Sequence, residues 1–135
     1  MTADTTTSLP PVPVTVESAA QAASDRLGRD IDLIFVGDVL AITDWFVIVS
    51  ATNTRQVRAV ADEITERLRT DHGVKPLRVE GLSEAQWVLL DYADFVVHVF
   101  HEDTRRFYSL ERLWADCPST TFVDRAAPVA QRPSA

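Results

Sequence analysis

Two short stretches, Trp45-Phe46-Val47-Ile48-Val49 and Phe95-Val96-Val97-His98-Val99-Phe100, are apolar at almost every position. Successive side chains of a strand point to opposite faces, so a strand that is apolar throughout has to be covered on both. Both stretches therefore belong inside a sheet, and Phe95 to Phe100 is expected at its centre. The covering has to come from elsewhere in a chain of 135 residues, which is one domain's worth. A domain of this size buries roughly two-thirds of the surface its unfolded chain exposes, enough for a core without disulfide or metal staples.

Two helical patterns can supply the cover. After Thr15, a candidate N-cap, Val16, Ala19, Ala20, Ala23 and Leu27 recur at helical spacing until Gly28 offers a stop. This stripe is made of small residues and suits close packing. Asn53 followed by Gln56 resembles a capping box, and Val57, Val60, Ala61, Ile64 and Leu68 keep the 3.6 period until Gly73. Ile31 to Val36, Pro76 to Glu80 and Trp87 to Asp91 read as further strands. Gly37-Asp38 marks a hairpin or short excursion, and Gly81 to Glu84 a turn. A last helix is expected to put Phe107, Leu110, Leu113 and Trp114 on one face. Helices and strands are interspersed, which predicts an α/β fold with a mixed sheet of about five strands and helices on its faces. Residues 1–14 and 117–135 are rich in Pro, Thr, Ser and Ala and read as flexible tails, leaving one domain over 15–116.

The charge is uneven. Setting aside Asp4, Asp124, Arg125 and Arg132 in the ends leaves 18 acidic and 11 basic residues between Thr15 and Asp116, so the whole net charge of -7 falls on the folded part. That sign argues against binding that rests mainly on neutralising phosphates, and leaves a basic protein surface as the natural partner. The single cysteine, Cys117, excludes an internal disulfide and fits a reducing compartment. No apolar run approaches the ~20 residues of a membrane span, and the N-terminus lacks the pattern of a signal peptide. The expectation is a soluble cytoplasmic protein with no membrane contact.

Few residues invite chemistry. His98 and His101, three apart on or just beyond a strand, point to opposite faces, and the commoner roles are a hydrogen-bonded core histidine and a surface one. Asp44, Glu80, Asp91 and Asp94 fall at strand ends or turns, where acid/base pairs and Mg²⁺ sites are often built. These strand-end carboxylates contain no Asp-x-Asp among themselves, and no glycine-rich phosphate loop accompanies them. Trp45, inside an apolar run, reads as core. Trp87 opens a strand beside the polar turn Ser83-Glu84-Ala85-Gln86, and Tyr92 lies between Asp91 and Asp94. A rigid aromatic beside fixed charge is the makeup of an interface hot spot.

Taken in order, these stretches resemble a known family. Thr43-Asp44-Trp45-Phe46-Val47-Ile48, Arg55 to Glu63, Val79-Glu80-Gly81, Trp87-Val88-Leu89-Leu90-Asp91-Tyr92-Ala93-Asp94 with Val97-His98-Val99-Phe100-His101, and Phe107-Tyr108-Ser109-Leu110-Glu111-Arg112-Leu113-Trp114 together resemble the signature of the ribosomal silencing factor (Iojap) family. The resemblance covers roughly Thr15 to Pro118. Departures are small: Trp45 stands where Tyr is expected, Ala93 and Ala51 where Gly is usual, and Glu102 where Pro often follows the histidine. The resemblance implies a reduced nucleotidyltransferase-like scaffold, and the Gly-Ser followed by Asp-x-Asp of an active enzyme of that kind is absent. It further implies a non-enzymatic translational repressor, needing no cofactor or metal, that binds the large ribosomal subunit through its ribosomal protein fourteen, at the face that meets the small subunit. Joining of the subunits is then blocked, notably under nutrient limitation. A homodimer when free, and a surface of Glu80, Trp87, Asp91, Tyr92 and Asp94 for the partner, are also implied; sequence-specific nucleic-acid recognition is not. Two alternatives stay open: a Mg²⁺-dependent nucleotidyl transfer or phosphate-chemistry enzyme using Asp44, Asp91 and Asp94, and a factor in large-subunit biogenesis.

Overall fold

The computed structural model describes residues 9–124. Ten elements follow in chain order: α1 (Val14–Asp25), β1 (Arg29–Phe35), β2 (Trp45–Ala51), α2 (Thr54–His72), β3 (Arg78–Glu80), β4 (Trp87–Asp91), β5 (Phe95–His101), α3 (Glu102–Tyr108), α4 (Leu110–Leu113) and β6 (Ser119–Thr121). The six strands form one sheet in the order β3-β4-β5-β2-β1-β6. β2 and β5 pair in parallel, Trp45 opposite Phe95 through Ala51 opposite His101, and the other neighbours are antiparallel. The two stretches that are apolar throughout are thus the two middle strands.

The helices α1 and α2 cover one face together. Val57, Val60, Ala61, Ile64 and Leu68 of α2 and Val16, Ala19, Ala20 and Ala23 of α1 are buried against Val47, Val49, Val97, Val99, Val88 and Leu90. The alanines of α1 let the two helices approach closely, and polar ties fasten their outer sides. Arg67 reaches Glu63 at 2.6 Å and Asp25 at 2.8 Å, holding the Glu63 carboxyl below its usual range, and Ser18 meets His72 at 2.7 Å. On the other face Ile34, Val36, Phe46, Ile48 and Phe100 form a smaller cluster, covered only in part by Leu40, Leu110 and Trp114.

Several boundaries differ from the sequence reading for identifiable reasons. α1 starts at Val14, with Pro13 rather than Thr15 at the N-cap: the first-turn bond runs from Glu17 N–H to the Pro13 carbonyl, and Pro13 is extended at φ -62° and ψ 150°, within the φ its ring fixes. At α2, Asn53 accepts from Gln56 N–H at 2.8 Å as expected, but the Gln56 side chain reaches back to Thr52 N–H at 2.7 Å, one residue earlier than a capping box requires. Gly73 ends α2 in the left-handed region at φ 68°. The expected C-terminal helix is two short ones broken at Ser109 (φ 48°). Arg105 ties α3 to β1 and β2, whereas Leu110 and Trp114 lie on the second face of the sheet, so the chain bends between the two anchorages. Phe107 and Leu113, expected on the packed face, are 80% and 74% exposed.

Both stretches read as tails enter the structure where they are described. Leu9 and Val12 pack on the core, and Ser119–Thr121 adds the sixth strand at the β1 edge. Residues 1–8 and 125–135, also read as tail, lie outside the described residues.

Candidate functional site

The sheet face away from α1 and α2 is the one left partly open. Trp87, Leu89 and Asp91 of β4 point to it, as do Val96, His98 and Phe100 of β5, and the registers Arg78 opposite Asp91 and Glu80 opposite Leu89 put both charged residues of β3 there too. β4 is placed by the turn that precedes it. Gly81 has φ 90°, and a Cβ there would lie 2.1 Å from the Trp87 carbonyl, so only glycine lets the chain fold back so tightly.

Trp87 is half-buried. Its ring lies 4.7 Å from Phe100 and 5.1 Å from Tyr108, and its indole N–H donates to His98 Nδ1 at 3.1 Å. His98 is 5% exposed, with Phe46 edge-on at 4.7 Å. Burial pushes its pKa down to about 4, so the ring is neutral near pH 7. Because Nδ1 accepts, the ring proton sits on Nε2, which has no partner. His101, on the opposite side of the strand, accepts from Asp103 N–H at 3.1 Å and caps α3.

Asp91 is held from two sides. One carboxylate oxygen accepts from Ala93 N–H at 2.9 Å, and the other faces Arg78 at 3.2 Å. Arg78 also lies 3.9 Å from Glu80. Beside this chain of charges a hollow of about 380 Å³ opens between Leu40, Ile42, Phe46, Leu77, Leu89 and Val96. Asp94 is exposed in the β4–β5 turn, its carbonyl accepting from Asp44 N–H at 2.9 Å. That turn puts Ala93 at φ 74°, a conformation glycine adopts more easily.

Of the five residues the sequence singles out, the structure brings Glu80, Trp87 and Asp91 onto one face and leaves Asp94 at its end. Tyr92 departs from the expectation. It continues the alternation of β4 and turns to the helix-covered face, 8% exposed and stacked on Phe95 at 4.9 Å. Burial pushes its phenol pKa up, with the Thr65 hydroxyl beside its own acting the other way. The sequence reading passes over Arg78, Leu89 and Val96. The period-two pattern could have found Leu89 and Val96, which share a face with Trp87. Ile42 and Leu77 come from loops, which carry no period.

An Asp-x-Asp does occur elsewhere, Asp30-Ile31-Asp32 at the start of β1, without Gly-Ser before it. Its second carboxylate is occupied by the chain itself. The buried Arg105 meets one oxygen at 2.7 Å, and the Thr121 hydroxyl donates to the other at 3.1 Å. Arg105 also donates to the Ser50 hydroxyl at 3.0 Å and to the Asp30 carbonyl. Among the described residues no group of three or more His, Cys, Asp or Glu side chains is placed to hold a metal ion, and no helix is long and apolar enough to cross a membrane.

The family described as ribosomal silencing factor during starvation matches residues 10–135. The chain belongs to this family. A Bacillus subtilis protein named ribosomal silencing factor is 40% identical over 100 residues, 74% of this chain and 84% of that one. A mouse protein named for mitochondrial assembly of the ribosomal large subunit is 34% identical over 107 residues, covering 76% of this chain and 44% of its own length. Among solved structures, a Chromobacterium violaceum protein is similar with a TM-score of 0.74 and 28% identity, covering 88% of this chain and 98% of that one. A Bacillus halodurans protein has a TM-score of 0.68 and 33% identity, covering 79% and 96%.

Proposed function

We propose that this protein docks on the large ribosomal subunit through that subunit's ribosomal protein fourteen, using the open sheet face, and represses translation in the cytoplasm by excluding the small subunit, notably when nutrients are scarce. The observation that carries the reading is the pairing of Trp87, a half-buried ring fixed by His98, Phe100 and Tyr108, with the Asp91 carboxylate on the same face. A rigid aromatic offers contact area at little entropic cost, and carboxylates meet Arg and Lys of a basic protein through charge-assisted hydrogen bonds. Glu80 and Asp94 stand at the edge of that surface, and the net charge of -7 steers it toward a basic partner. Tyr92 supports the surface from behind.

Exclusion of a subunit requires no bond to be made or broken, so the function needs neither cofactor nor metal. The free protein is proposed to be a homodimer that gives way to the monomer on the subunit, and light scattering at tens of micromolar, about where a weak dimer would persist, tests it. Co-sedimentation tests the main reading: the protein should pellet with purified large subunits and lower the yield of joined ribosomes. Equal pelleting with small subunits, or undiminished joining, would overturn it. The mouse relative's name favours a second reading, assistance in building the large subunit. Accumulation of immature large subunits in fed cells lacking the protein would select that one.

A further inference from the structure

We infer that the arginine-lined hollow at the end of the sheet opposite the Asp91–Asp94 turn is a contact for the phosphodiester backbone of ribosomal RNA. The inference rests on the reading that the protein sits on the large subunit, and adds a second point of attachment.

The charge of -7 makes any basic surface on this molecule an exception. Arg26, Arg29 and Arg55 provide one. They line an open hollow of about 830 Å³ between the end of α1, the start of β1 and the start of α2, and no carboxylate is among the residues lining it. Arg26 and Arg29 have partners outside it, Glu63 at 3.3 Å and Glu102 at 3.6 Å, but both arginine side chains are more than half exposed. Exposed pairs of this kind are worth about 1 kcal/mol or less, so either guanidinium can turn to a phosphate at little cost. Arg55 makes no ion pair among the described residues. Three planar guanidinium forks around one hollow suit phosphate oxygens, which they can meet two at a time.

The position of the hollow selects RNA rather than an acidic peptide. β2 runs from Trp45, next to Asp44 and the Asp94 carbonyl, to Ala51, next to Thr52 and Asn53 in the hollow. Seven residues of strand span roughly 20 Å at about 3.3 Å each. The carboxylates Asp44, Asp91 and Asp94 thus lie at one end of the sheet and the arginines at the other, while Trp87, opposite Phe100 and through it level with Ser50, sits toward the arginine end. On a ribosomal subunit, a patch of this sign set away from the acidic end that suits a basic protein meets the phosphates of RNA. Contacts to backbone phosphates position without reading sequence, so no base preference is expected.

The test compares wild type with Arg26→Gln/Arg29→Gln/Arg55→Gln on two targets, intact large subunits and isolated ribosomal protein fourteen, across a salt series. Melting temperatures of both proteins check folding. The variant should bind subunits about tenfold or more weaker, with a salt dependence shallower by about one unit of log-log slope for each phosphate it no longer neutralises, and should bind the isolated protein as wild type does. If the triple variant fails to fold, Arg55→Gln alone serves, because Arg55 makes no ion pair within the described residues: it should weaken subunit binding several-fold and flatten the salt dependence by about one unit of log-log slope, and wild-type affinity and slope would overturn the inference. Equal subunit affinity and equal salt slope for wild type and the glutamine variant would overturn the inference, as would an equal loss on both targets, which would mean that the arginines face protein. Wild type that binds subunits but not the isolated protein would overturn the proposed partner while leaving the arginine contact to stand or fall on the variant.

Discussion

Alternate residues of β5 meet two different environments. Phe95, Val97 and Val99 face α1 and α2 among valines, leucines and alanines, while Val96, His98 and Phe100 face a surface that two short helices and one loop cover incompletely. The first face holds the fold. The second sets the same apolar strand against a neutral histidine, an indole hydrogen bond, an ion pair and a hollow open to solvent. The contrast teaches that the apolar period of a strand reports burial, and that exposure of its second face depends on what later segments bring over it. Here α3 and α4 stop short, leaving Phe107 and Ile42 exposed at the margin.

Removing volume from the covered face should have the largest effect and leave binding intact. Ile64 is fully buried between α2 and the sheet. Ile64→Ala should lower unfolding free energy by roughly 2–5 kcal/mol, measured by urea titration, with ribosome affinity unchanged under conditions where the variant is folded. A large affinity loss in folded protein would break the division between the faces.

The next effect belongs to the open face and appears on acidification. The folded-state pKa of His98 is lowered to about 4 from an ordinary 6.5, so between those values the unfolded chain binds a proton that the folded chain refuses. Stability therefore rises with pH through that window and falls on acidification from pH 6.5 toward 4, by on the order of 3 kcal/mol in total. Protonation would also set an Nδ1–H against the Trp87 N–H. Imidazole shifts followed by NMR should show His98 neutral until the fold itself begins to fail, and a midpoint near 6.5 in folded protein would mean that this face is wet.

Trp87→Ala should then weaken large-subunit binding by roughly 2 kcal/mol or more, about thirtyfold. The ring also packs on Phe100 and Tyr108, so some stability is lost with it. The melting temperature must be read beside the affinity. Full affinity in a folded variant would move the docking surface to the outer sides of α1 and α2. Asp91→Asn should cost less, on the order of 1 kcal/mol of affinity, shrinking as salt rises because a solvated rim pair is screened. One structural role survives this change, since Oδ1 can still accept from Ala93 N–H.

These residues differ in how far the sequence announces them. β2, β5 and α2 are legible because each carries many apolar positions at one strict period, and Asn53 and Gly73 mark both ends of α2. β6 has no such signal: Ser119, Thr120 and Thr121 are all exposed, and only backbone pairing with β1 makes them a strand. The break at Ser109 is equally silent, because it follows from Arg105 reaching Asp32, a contact 73 residues away in sequence. On the candidate site, Trp87 and Asp91 share a face because they are four apart in a strand. Tyr92 lies on the other face for a related reason. Treated as a turn residue, it belongs with its acidic neighbours; treated as one more step of the strand, it belongs with Val88 and Leu90 against α2.

The smallest expected effect tests that distinction most directly. Tyr92 N–H still bonds to the Phe95 carbonyl at 2.9 Å, so the chain is extended there and the ring is carried to the covered face. Its hydroxyl is buried beside that of Thr65, whose proton is directed to the Ala61 carbonyl at 2.8 Å, so that Thr65 can offer it only a lone pair. A buried hydroxyl with no more than this one contact gains little over its desolvation cost, so deleting it while keeping the ring changes stability little. Tyr92→Phe should leave ribosome affinity unchanged and shift stability by no more than about 1 kcal/mol in either direction. If the hydroxyl instead served the partner, the same variant would lose affinity several-fold at an unchanged melting temperature, and Tyr92 would have to swing out of the core on binding. Tyr92→Ala separates the cases further: it should cost stability by roughly 3–5 kcal/mol, as truncation of a core aromatic does, because the ring stacks on Phe95 within the helix-covered core.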